Sequence, residues 1–161
     1  REKMTKINLS NVIDSVVEDF NNDLFNSNQN IKINISNSNL NGTKLNVLGV
    51  ESKLEQIVAN LLDNAVSFSP PNGKISVICD TKQKDAQLII IDEGPGFNEK
   101  NIDKVFNRFY SNRPEKFGEH SGLGLNIVKN IIELHGGSIT ASNQFGDKKG
   151  AKIEVLLPIY K

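Results

Sequence analysis

The stretch D-E-G-P-G-F at residues 92–97 decides how this chain folds when it is read together with S-G-L-G-L at residues 121–125. The first stretch follows the apolar run 88–91, so a strand is predicted to deliver Asp92 to a glycine-containing turn. The second opens a helical pattern that closes at Gly136. A strand-end acid beside one glycine turn, with a helix start beside another, is typical of a nucleotide site.

Apolar periodicity places three helices around this centre, at residues 9–24, 51–68 and 125–134. Asn8 or Ser10 is predicted to cap the first of them. Hairpin-connected strands mixed with helices favour a two-layer α/β sandwich, in which helices cover one face of a mixed, mostly antiparallel sheet. The strands are predicted at residues 31–35, 45–48, 74–80, 87–92, 138–143 and 151–157.

Three further expectations concern the rest of the chain. The polar residues 98–120 are predicted to form a long, mobile loop with a short helix near residues 102–106. The asparagine-rich stretch 21–41 is expected to reflect genome composition or solvated loops. The chain opens inside a helical pattern and without an initiator Met, so we expect it to be a piece of a longer protein.

Composition argues against several classes of protein. With 161 residues the chain is most simply a single domain that can bury a full core. Its 19 Lys and Arg residues balance 19 Asp and Glu residues, so no basic excess argues for nucleic acid binding. No apolar run reaches the roughly 18 residues that a membrane span needs, and we expect no signal peptide. The single cysteine, Cys79, lies in a strand-like run and is interpreted as a buried thiol.

The glycine turns do not match the two commonest nucleotide motifs. The G-x-x-x-x-G-K-[ST] string of a P-loop does not occur in the sequence. Gly122 and Gly124 lack the third glycine of a dinucleotide fingerprint, since Ile127 stands at that place, and they follow a loop instead of a strand. Both of these folds are therefore disfavoured.

Two asparagines in the predicted helix 51–68 offer a different kind of ligand. Asn60 and Asn64 are four residues apart, so their amides lie on one face of the helix beside the apolar stripe. A neutral amide oxygen suits a Mg²⁺ ion that already carries phosphate oxygens. The alternative, a helix with two solvated asparagines, remains open on these residues alone.

Four motifs in a fixed order carry a resemblance to a known family. They are N-L-L-D-N-A at residues 60–65, D-E-G-P-G-F at 92–97, F-N-R-F-Y at 106–110 and G-L-G-L at 122–125. They match the N, G1, F and G2 boxes of sensor histidine kinases, and the chain resembles the catalytic ATP-binding domain of that family, a member of the Bergerat-fold (GHKL) superfamily. Residues 64–70, 109–115 and 121–125 are most similar to the ChvG-type membrane sensor kinases of alphaproteobacteria.

The resemblance implies roles for residues around the base. Asp92 would accept a hydrogen bond from the adenine amino group, which excludes guanine because an oxygen stands there instead. Gly94 and Gly96 would allow positive φ angles and let the base approach the backbone. Phe68 would lie along the adenine as an apolar wall.

At the phosphate end, Asn64 would hold Mg²⁺ and Asn60 would assist the phosphates. Backbone amides at residues 122–125 would face the anion at a helix N-terminus. Arg108 and Arg113 are candidates for the γ-phosphate because the guanidinium is a forked donor. The full set of expected nucleotide-binding residues is Asn60, Asn64, Ser67, Phe68, Asp92, Gly94, Gly96, Phe97, Tyr110, Arg113, Ser121, Gly122, Leu123, Gly124 and Leu125, with Asn60, Arg108 and Arg113 expected to act in catalysis.

The resemblance also assigns the residues between the second and fourth motifs. Phe106, Phe109 and Tyr110 would anchor a lid over the nucleotide. Neither histidine is expected to accept the phosphoryl group: His135 is assigned to a helix C-cap, and His120 to the lid.

Two positions depart from the family pattern. Many members carry cations where Ser67 and Ser111 stand, and those cations help with the phosphates. Their replacement by serine puts the phosphate contacts in doubt, and Arg113 is the candidate substitute.

The implied function is that of the ATP-binding half of a two-component autokinase. The domain would hold ATP and Mg²⁺ and pass the γ-phosphate to a histidine on a separate dimerisation domain, for relay to a response regulator. The domain spans residues 1–161, with 1–8 a remnant of the linker from the missing dimerisation domain. The full-length protein would be a dimer anchored in the inner membrane with this domain in the cytoplasm, while the fragment is expected to be monomeric and to bind no nucleic acid.

Two alternatives remain open. A Bergerat-fold ATPase of the gyrase, MutL or Hsp90 type places a glutamate one helical turn before the metal asparagine, and here Asn60 stands at that place. A regulatory module or protein-serine kinase of the anti-sigma-factor type would be a free-standing chain of similar length. A membrane helix and a histidine-bearing helical hairpin encoded upstream would favour the sensor kinase.

Overall fold

The structure, a computed structural model, describes residues 3–37, 45–97, 99–107, 124–144 and 149–160. Within these residues the helices are α1 (Leu9–Asn26), α2 (Glu51–Phe68), α3 (Leu125–Leu134) and a short 3₁₀ helix (Glu99–Phe106). The strands are β1 (Thr5–Asn8), β2 (Lys32–Asn37), β3 (Asn46–Gly49), β4 (Lys74–Lys82), β5 (Asp85–Ile91), β6 (Ser138–Asn143) and β7 (Ala151–Pro158). The three predicted α-helices and the short helix near residues 102–106 are confirmed.

Five of the strands described form one sheet in the order β2-β4-β5-β7-β6, while β1 pairs with β3 in a separate antiparallel sheet. β2 runs parallel to β4, and the other neighbours in the larger sheet are antiparallel. α2 contacts both α1 and α3 and also packs on β5, while α1 packs on β2 and α3 on β6. This is the predicted two-layer α/β sandwich.

The core lies between the helices and one face of the sheet. On β4 the alternate residues Ile75, Val77 and Cys79 are buried, and those between them are half-buried. The predicted apolar face of α2 is buried against them in the same cluster, together with the inward residues of β5 and β7. A half-buried opposite face is expected for a sheet with one helical layer. The members of the α2 face are Leu54, Ile57, Val58, Leu61, Leu62 and Ala65.

The start of the chain differs from the sequence expectation. Residues 5–8 form a strand instead of continuing a helical pattern, because Ile7 is buried opposite Val47 in the ladder with β3. The helix begins only at Leu9, where Asn8 is the N-cap and its side chain accepts a hydrogen bond from the Asn11 backbone at 3.2 Å. Of the two predicted caps, the structure therefore selects Asn8. The division of residues 1–161 into a domain and a linker remnant stays a prediction.

One asparagine from the stretch 21–41 has a structural role that the sequence did not predict. β2 is the edge strand of the larger sheet, so one side of its backbone has no neighbouring strand. The Asn21 side chain covers that side: its Nδ2 donates to the Ile33 carbonyl at 3.1 Å, and its Oδ1 accepts from the Ile33 amide at 3.2 Å. For Asn21 the expectation of a solvated loop residue is therefore wrong.

The end of α3 is fixed by a glycine and a histidine. His135 is the C-cap residue, as predicted, and Gly136 follows at φ +78°. The amides of Gly136 and Gly137 bond back to the carbonyls of Glu133 and Ile132, which is the Schellman arrangement. This closes the helix at the glycine pair that its sequence pattern indicated.

The His135 ring also joins α3 to the start of α2. Its Nδ1 lies 2.8 Å from the Ile131 carbonyl, and its Nε2 accepts from the Val50 amide at 3.2 Å. A ring that donates through Nδ1 and accepts through Nε2 is the neutral tautomer. His135 thus acts as a structural residue between two helices.

None of the helices within the described residues is both long enough and apolar enough to cross a membrane. The predicted burial of Cys79 is confirmed, since its side chain is 1% exposed on the inner face of β4. Burial raises the pKa of the Cys79 thiol above its ordinary value, and the nearby Ser10 hydroxyl, 3.9 Å from the sulfur, partly opposes this. The thiol is therefore both shielded and protonated.

We predict that Cys79 reacts with iodoacetamide at least about a hundredfold more slowly in the native protein than in urea, because the thiolate is the nucleophile and burial disfavours it. Mass spectrometry of quenched time points measures the rate. Since Cys79 is the only cysteine in the sequence, Cys79→Ser should take up no label. Native labelling as fast as that of unfolded chain would contradict the burial.

Candidate functional site

Asp92 stands immediately after β5 and is 3% exposed. Its Oδ1 accepts two backbone hydrogen bonds, from Gly94 at 2.9 Å and from Ala151 at 3.1 Å. Its own amide donates to the Ala151 carbonyl at 3.0 Å. These bonds offset the cost of burying a carboxylate, and they fix the acid at the junction of β5 and β7.

Residues 92–97, here called the Asp92 loop, are held at a second point by the Glu93 side chain. Glu93 Oε1 accepts from the Lys74 amide at 2.8 Å, which ties the loop to the start of β4. Gly96 uses its conformational freedom, with φ +79°, whereas Gly94 does not take a positive φ. The Gly94 amide instead donates to the Asp92 carboxylate from an ordinary backbone conformation.

The C-terminal half of α2 carries the predicted phosphate and metal residues. Asn60, Asn64 and Ser67 follow at spacings of four and three, so they share one flank of the helix beside its buried stripe. The Nδ2 of Asn60 and the Oγ of Ser67 are buried, and neither has a hydrogen-bond partner in the part of the chain that the structure describes. Unpaired buried donors are uncommon in native proteins and call for an explanation.

The two predicted aromatic contacts fall into different environments. Phe97 is 6% exposed and belongs to the apolar core, so it anchors the end of the Asp92 loop. Phe68 is the last residue of α2 and is half-buried. Phe106, at the end of the 3₁₀ helix, is also half-buried and packs on the core beneath the Lys129 ammonium group, 5.9 Å from its ring centre.

The start of α3 supplies the described part of the predicted phosphate turn. Gly124 is the N-cap and Leu125 the first helical residue, and the N-cap brings no side-chain hydrogen bond. The Gly124 carbonyl already accepts from the amides of Ile127 and Val128. The first amides of the helix therefore have no capping side chain at that position, as an anion site requires.

Several predicted site residues lie outside the described residues. They are Arg108, Tyr110, Arg113, Ser121, Gly122 and Leu123, together with Phe109, Ser111 and His120. The roles given to them, and the roles of the described site residues toward a nucleotide, stay predictions.

Sequence reasoning missed two residues that hold Asp92. The Gln144 side chain donates from Nε2 to the carbonyls of Asp92 and Lys149, both at 3.0 Å. Gly150 has φ +144°, and a Cβ there would collide with the Asp92 carbonyl. No local sequence pattern identifies the long-range partner of either residue.

Metal binding at this site would depend on a ligand as well as on protein. Among the residues that the structure describes, no group of three or more His, Cys, Asp or Glu side chains is placed to hold a metal ion. A divalent ion beside Asn64 would therefore take most of its oxygen ligands from phosphate and water, which is the usual mode of Mg²⁺.

Comparison with known families and proteins agrees with this geometry. Residues 49–161 match the sequence profile of the family described as histidine kinase-, DNA gyrase B- and HSP90-like ATPases. The sensor protein ChvG of Rhizobium meliloti is 42% identical over 118 residues, covering 70% of this chain. The sensor protein kinase PmrB of Pseudomonas aeruginosa is 38% identical over 112 residues, also covering 70% of this chain. The match covers 20% of ChvG and 23% of PmrB, so the chain spans about a fifth of the length of these relatives.

Solved structures of similar shape come from the same class. A mycobacterial sensor histidine kinase, MprB, superimposes with a TM-score of 0.80 at 30% identity, and 97% of each chain is covered. Histidine kinase ThkA in complex with the response regulator protein TrrA gives a TM-score of 0.78 at 25% identity, covering 98% of this chain and 42% of that one.

Substitution of Gly96, compared with substitution of Gly136 at a similar φ, tests the shape of the Asp92 loop. Gly136→Ala places a Cβ in ordinary contact, 3.6 Å from Pro158, so only the φ angle of +78° is strained and we expect a loss of about 1 kcal/mol. Gly96→Ala adds a contact of 2.7 Å with Asn143 Oδ1, and we expect a loss of about 2–3 kcal/mol. Urea unfolding measures both values, and equal losses would contradict the close approach at Gly96.

Proposed function

This chain belongs to the family of histidine kinase-, DNA gyrase B- and HSP90-like ATPases, and we propose that it binds ATP with Mg²⁺ and donates the γ-phosphate to a histidine on a separate dimerisation domain of a two-component sensor kinase. A response regulator would receive the phosphoryl group next. The sensor would be a dimer anchored in the membrane, with this domain on the cytoplasmic side.

The observation that carries the proposal is a pair of buried polar groups on α2 that have no hydrogen-bond partner within the described ranges. Asn60 Nδ2 is a donor, and the Ser67 hydroxyl can act as one. Phosphate oxygens are acceptors only, so a triphosphate along this flank of α2 would satisfy both groups at once. The amides at the start of α3, which also packs on α2, would add donors for the same anion.

Base selection would come from the Asp92 carboxylate. Its Oδ1 already accepts two backbone amides, so its orientation is set before any ligand arrives. A fixed carboxylate accepts from the 6-amino group of adenine and repels the 6-oxygen of guanine, which gives a preference for ATP over GTP. Phe68 would cover part of the base.

Asn64 is the residue proposed to hold Mg²⁺ through its amide oxygen. It lies one turn from Asn60 on the same flank and is half-buried, so a metal ion held there would lie close to Asn60 and Ser67. When bound, the ion would neutralise charge on the phosphates. The chain itself would orient the nucleotide and exclude water from the buried flank of α2.

The reaction needs an acceptor that this domain does not supply. An imidazole nitrogen of the partner domain would form a bond to the γ-phosphorus while the bond to the β–γ bridging oxygen breaks, so that ADP leaves and the imidazole loses its proton. His135 is committed to the contact between α2 and α3, which leaves it no acceptor role. Hydrolysis is disfavoured because Asn60, a neutral amide, is no general base.

We predict that the isolated chain binds ATP in the presence of Mg²⁺ but takes up no label from γ-³²P-ATP. Calorimetry measures the binding, and autoradiography with and without an added dimerisation domain measures transfer. Label is expected on the added domain alone. Label on the isolated chain would overturn the scheme, and so would a steady release of phosphate that Asn60→Ala abolishes.

Two substitutions separate the metal from the base. Asn64→Ala should weaken the binding of ATP with Mg²⁺ by at least about tenfold and leave the small metal-free affinity in EDTA almost unchanged. Asn130→Ala, an exposed asparagine of α3, is the matched control. Equal losses of affinity with and without the metal would contradict the role of Asn64.

Asp92→Asn keeps an oxygen for the amides of Gly94 and Ala151 but turns a donor toward the base. The ratio of ATP to GTP affinity should therefore fall by at least about a hundredfold, which calorimetric titration with each nucleotide measures. An unchanged ratio in a folded variant would remove Asp92 from base recognition.

A further inference from the structure

We propose that Asn143 is a positioning residue for the base: its side-chain amide holds the Asp92 loop in the shape that receives adenine. The inference rests on the proposed function, since it assigns a residue to the same nucleotide site. Asn143 is the last residue of β6 and belongs to none of the motifs that the sequence singled out.

The side-chain amide of Asn143 makes two hydrogen bonds to the backbone of Phe97. Its Oδ1 accepts from the Phe97 amide at 2.7 Å, and its Nδ2 donates to the Phe97 carbonyl at 2.9 Å. A neighbouring β-strand would offer the same donor and acceptor pair. One half-buried side chain therefore replaces a strand at the point where the Asp92 loop ends.

The shape of the loop and the clamp depend on each other. Gly96 has φ +79°, and a Cβ added there would lie 2.7 Å from Asn143 Oδ1. The loop thus approaches β6 so closely that only glycine fits, and the short Asn143 side chain spans the remaining gap. The Phe97 ring is buried in the core, so its backbone is fixed by Asn143 and its side chain by packing.

The opposite end of the loop is anchored by other residues. Asp92 is held by Ala151 through the β5–β7 junction and by Gln144 through its carbonyl. Loss of the Asn143 amide would free the glycine-containing end of the loop and leave the carboxylate in place. Affinity for the base should fall, whereas the preference for adenine over guanine should persist.

A second asparagine in the same chain provides a matched control. Asn21, on α1, makes the same pair of hydrogen bonds with the backbone of Ile33, on the edge strand β2. Neither of these two elements carries a proposed site residue. Asn21→Ala and Asn143→Ala each remove one side-chain amide and leave one backbone donor and one acceptor unpaired. Both should lower stability, but only Asn143→Ala should change nucleotide binding.

Calorimetry with ATP and Mg²⁺, together with thermal unfolding, tests the proposal. We expect Asn143→Ala to weaken ATP binding about tenfold, which corresponds to about 1.4 kcal/mol of binding free energy. Asn21→Ala should bind ATP as tightly as the wild type. ATP binding unchanged in folded Asn143→Ala would overturn the proposal, and so would an equal loss in Asn21→Ala. If wild type binds no ATP, the proposed function itself has failed.

Two measurements cover the case in which Asn143→Ala does not fold. Asn143→Asp keeps the acceptor for the Phe97 amide but sets a carboxylate oxygen against the Phe97 carbonyl, so it should also weaken ATP binding. Hydrogen exchange by NMR in the wild type should show a protected Phe97 amide. Unweakened binding in Asn143→Asp, or rapid exchange at Phe97, would count against the clamp.

Discussion

The buried carboxylate of Asp92 is the constraint on which the rest of the site depends. A carboxylate that is 3% exposed must be surrounded by donors, and this one takes the amides of Gly94 and Ala151. Those two bonds set where β5 ends, where β7 begins, and how the backbone turns between them. The group that we propose to recognise a base is thereby also a structural element of the sheet.

In this fold, side-chain amides make hydrogen bonds that the backbone of a neighbouring strand usually makes. Asn21 substitutes for a missing strand beside β2, Asn143 does so beside Phe97, and Gln144 bridges two carbonyls near Asp92. An amide offers a donor and an acceptor about as far apart as those of one residue in a strand, so it can cover an exposed edge without adding a charge. Some of the many asparagines in this sequence therefore have structural roles, and composition alone does not reveal which ones.

The sequence was sufficient to predict what is local. Periodicity located α1, α2 and α3, alternation located the sheet strands to within a few residues, and the glycine pair after His135 marked a helix end. What it did not predict depends on contacts distant in the chain. The strand at residues 5–8 exists because of its pairing with β3. The contacts of Asn143, Gln144 and Gly150 join positions about fifty residues apart, and no short-range pattern encodes them.

On the flank of α2, the residues that the proposed function needs are not the residues that would give the greatest stability. Its buried stripe is apolar and fully packed, yet beside it Asn60 and Ser67 bury polar atoms that have no partner among the described residues. An apolar or small residue at either place would avoid a cost of about 1–3 kcal/mol for each unpaired group. A fold accepts such a cost where a ligand later removes it, because the donors are then already oriented when the ligand arrives. The Asp92 end shows the complementary arrangement, in which the acid already accepts backbone hydrogen bonds from within the protein. Adenine would thus meet a rigid and satisfied surface, whereas the phosphates would complete an unsatisfied one, and most of the gain from binding would arise at the phosphate end.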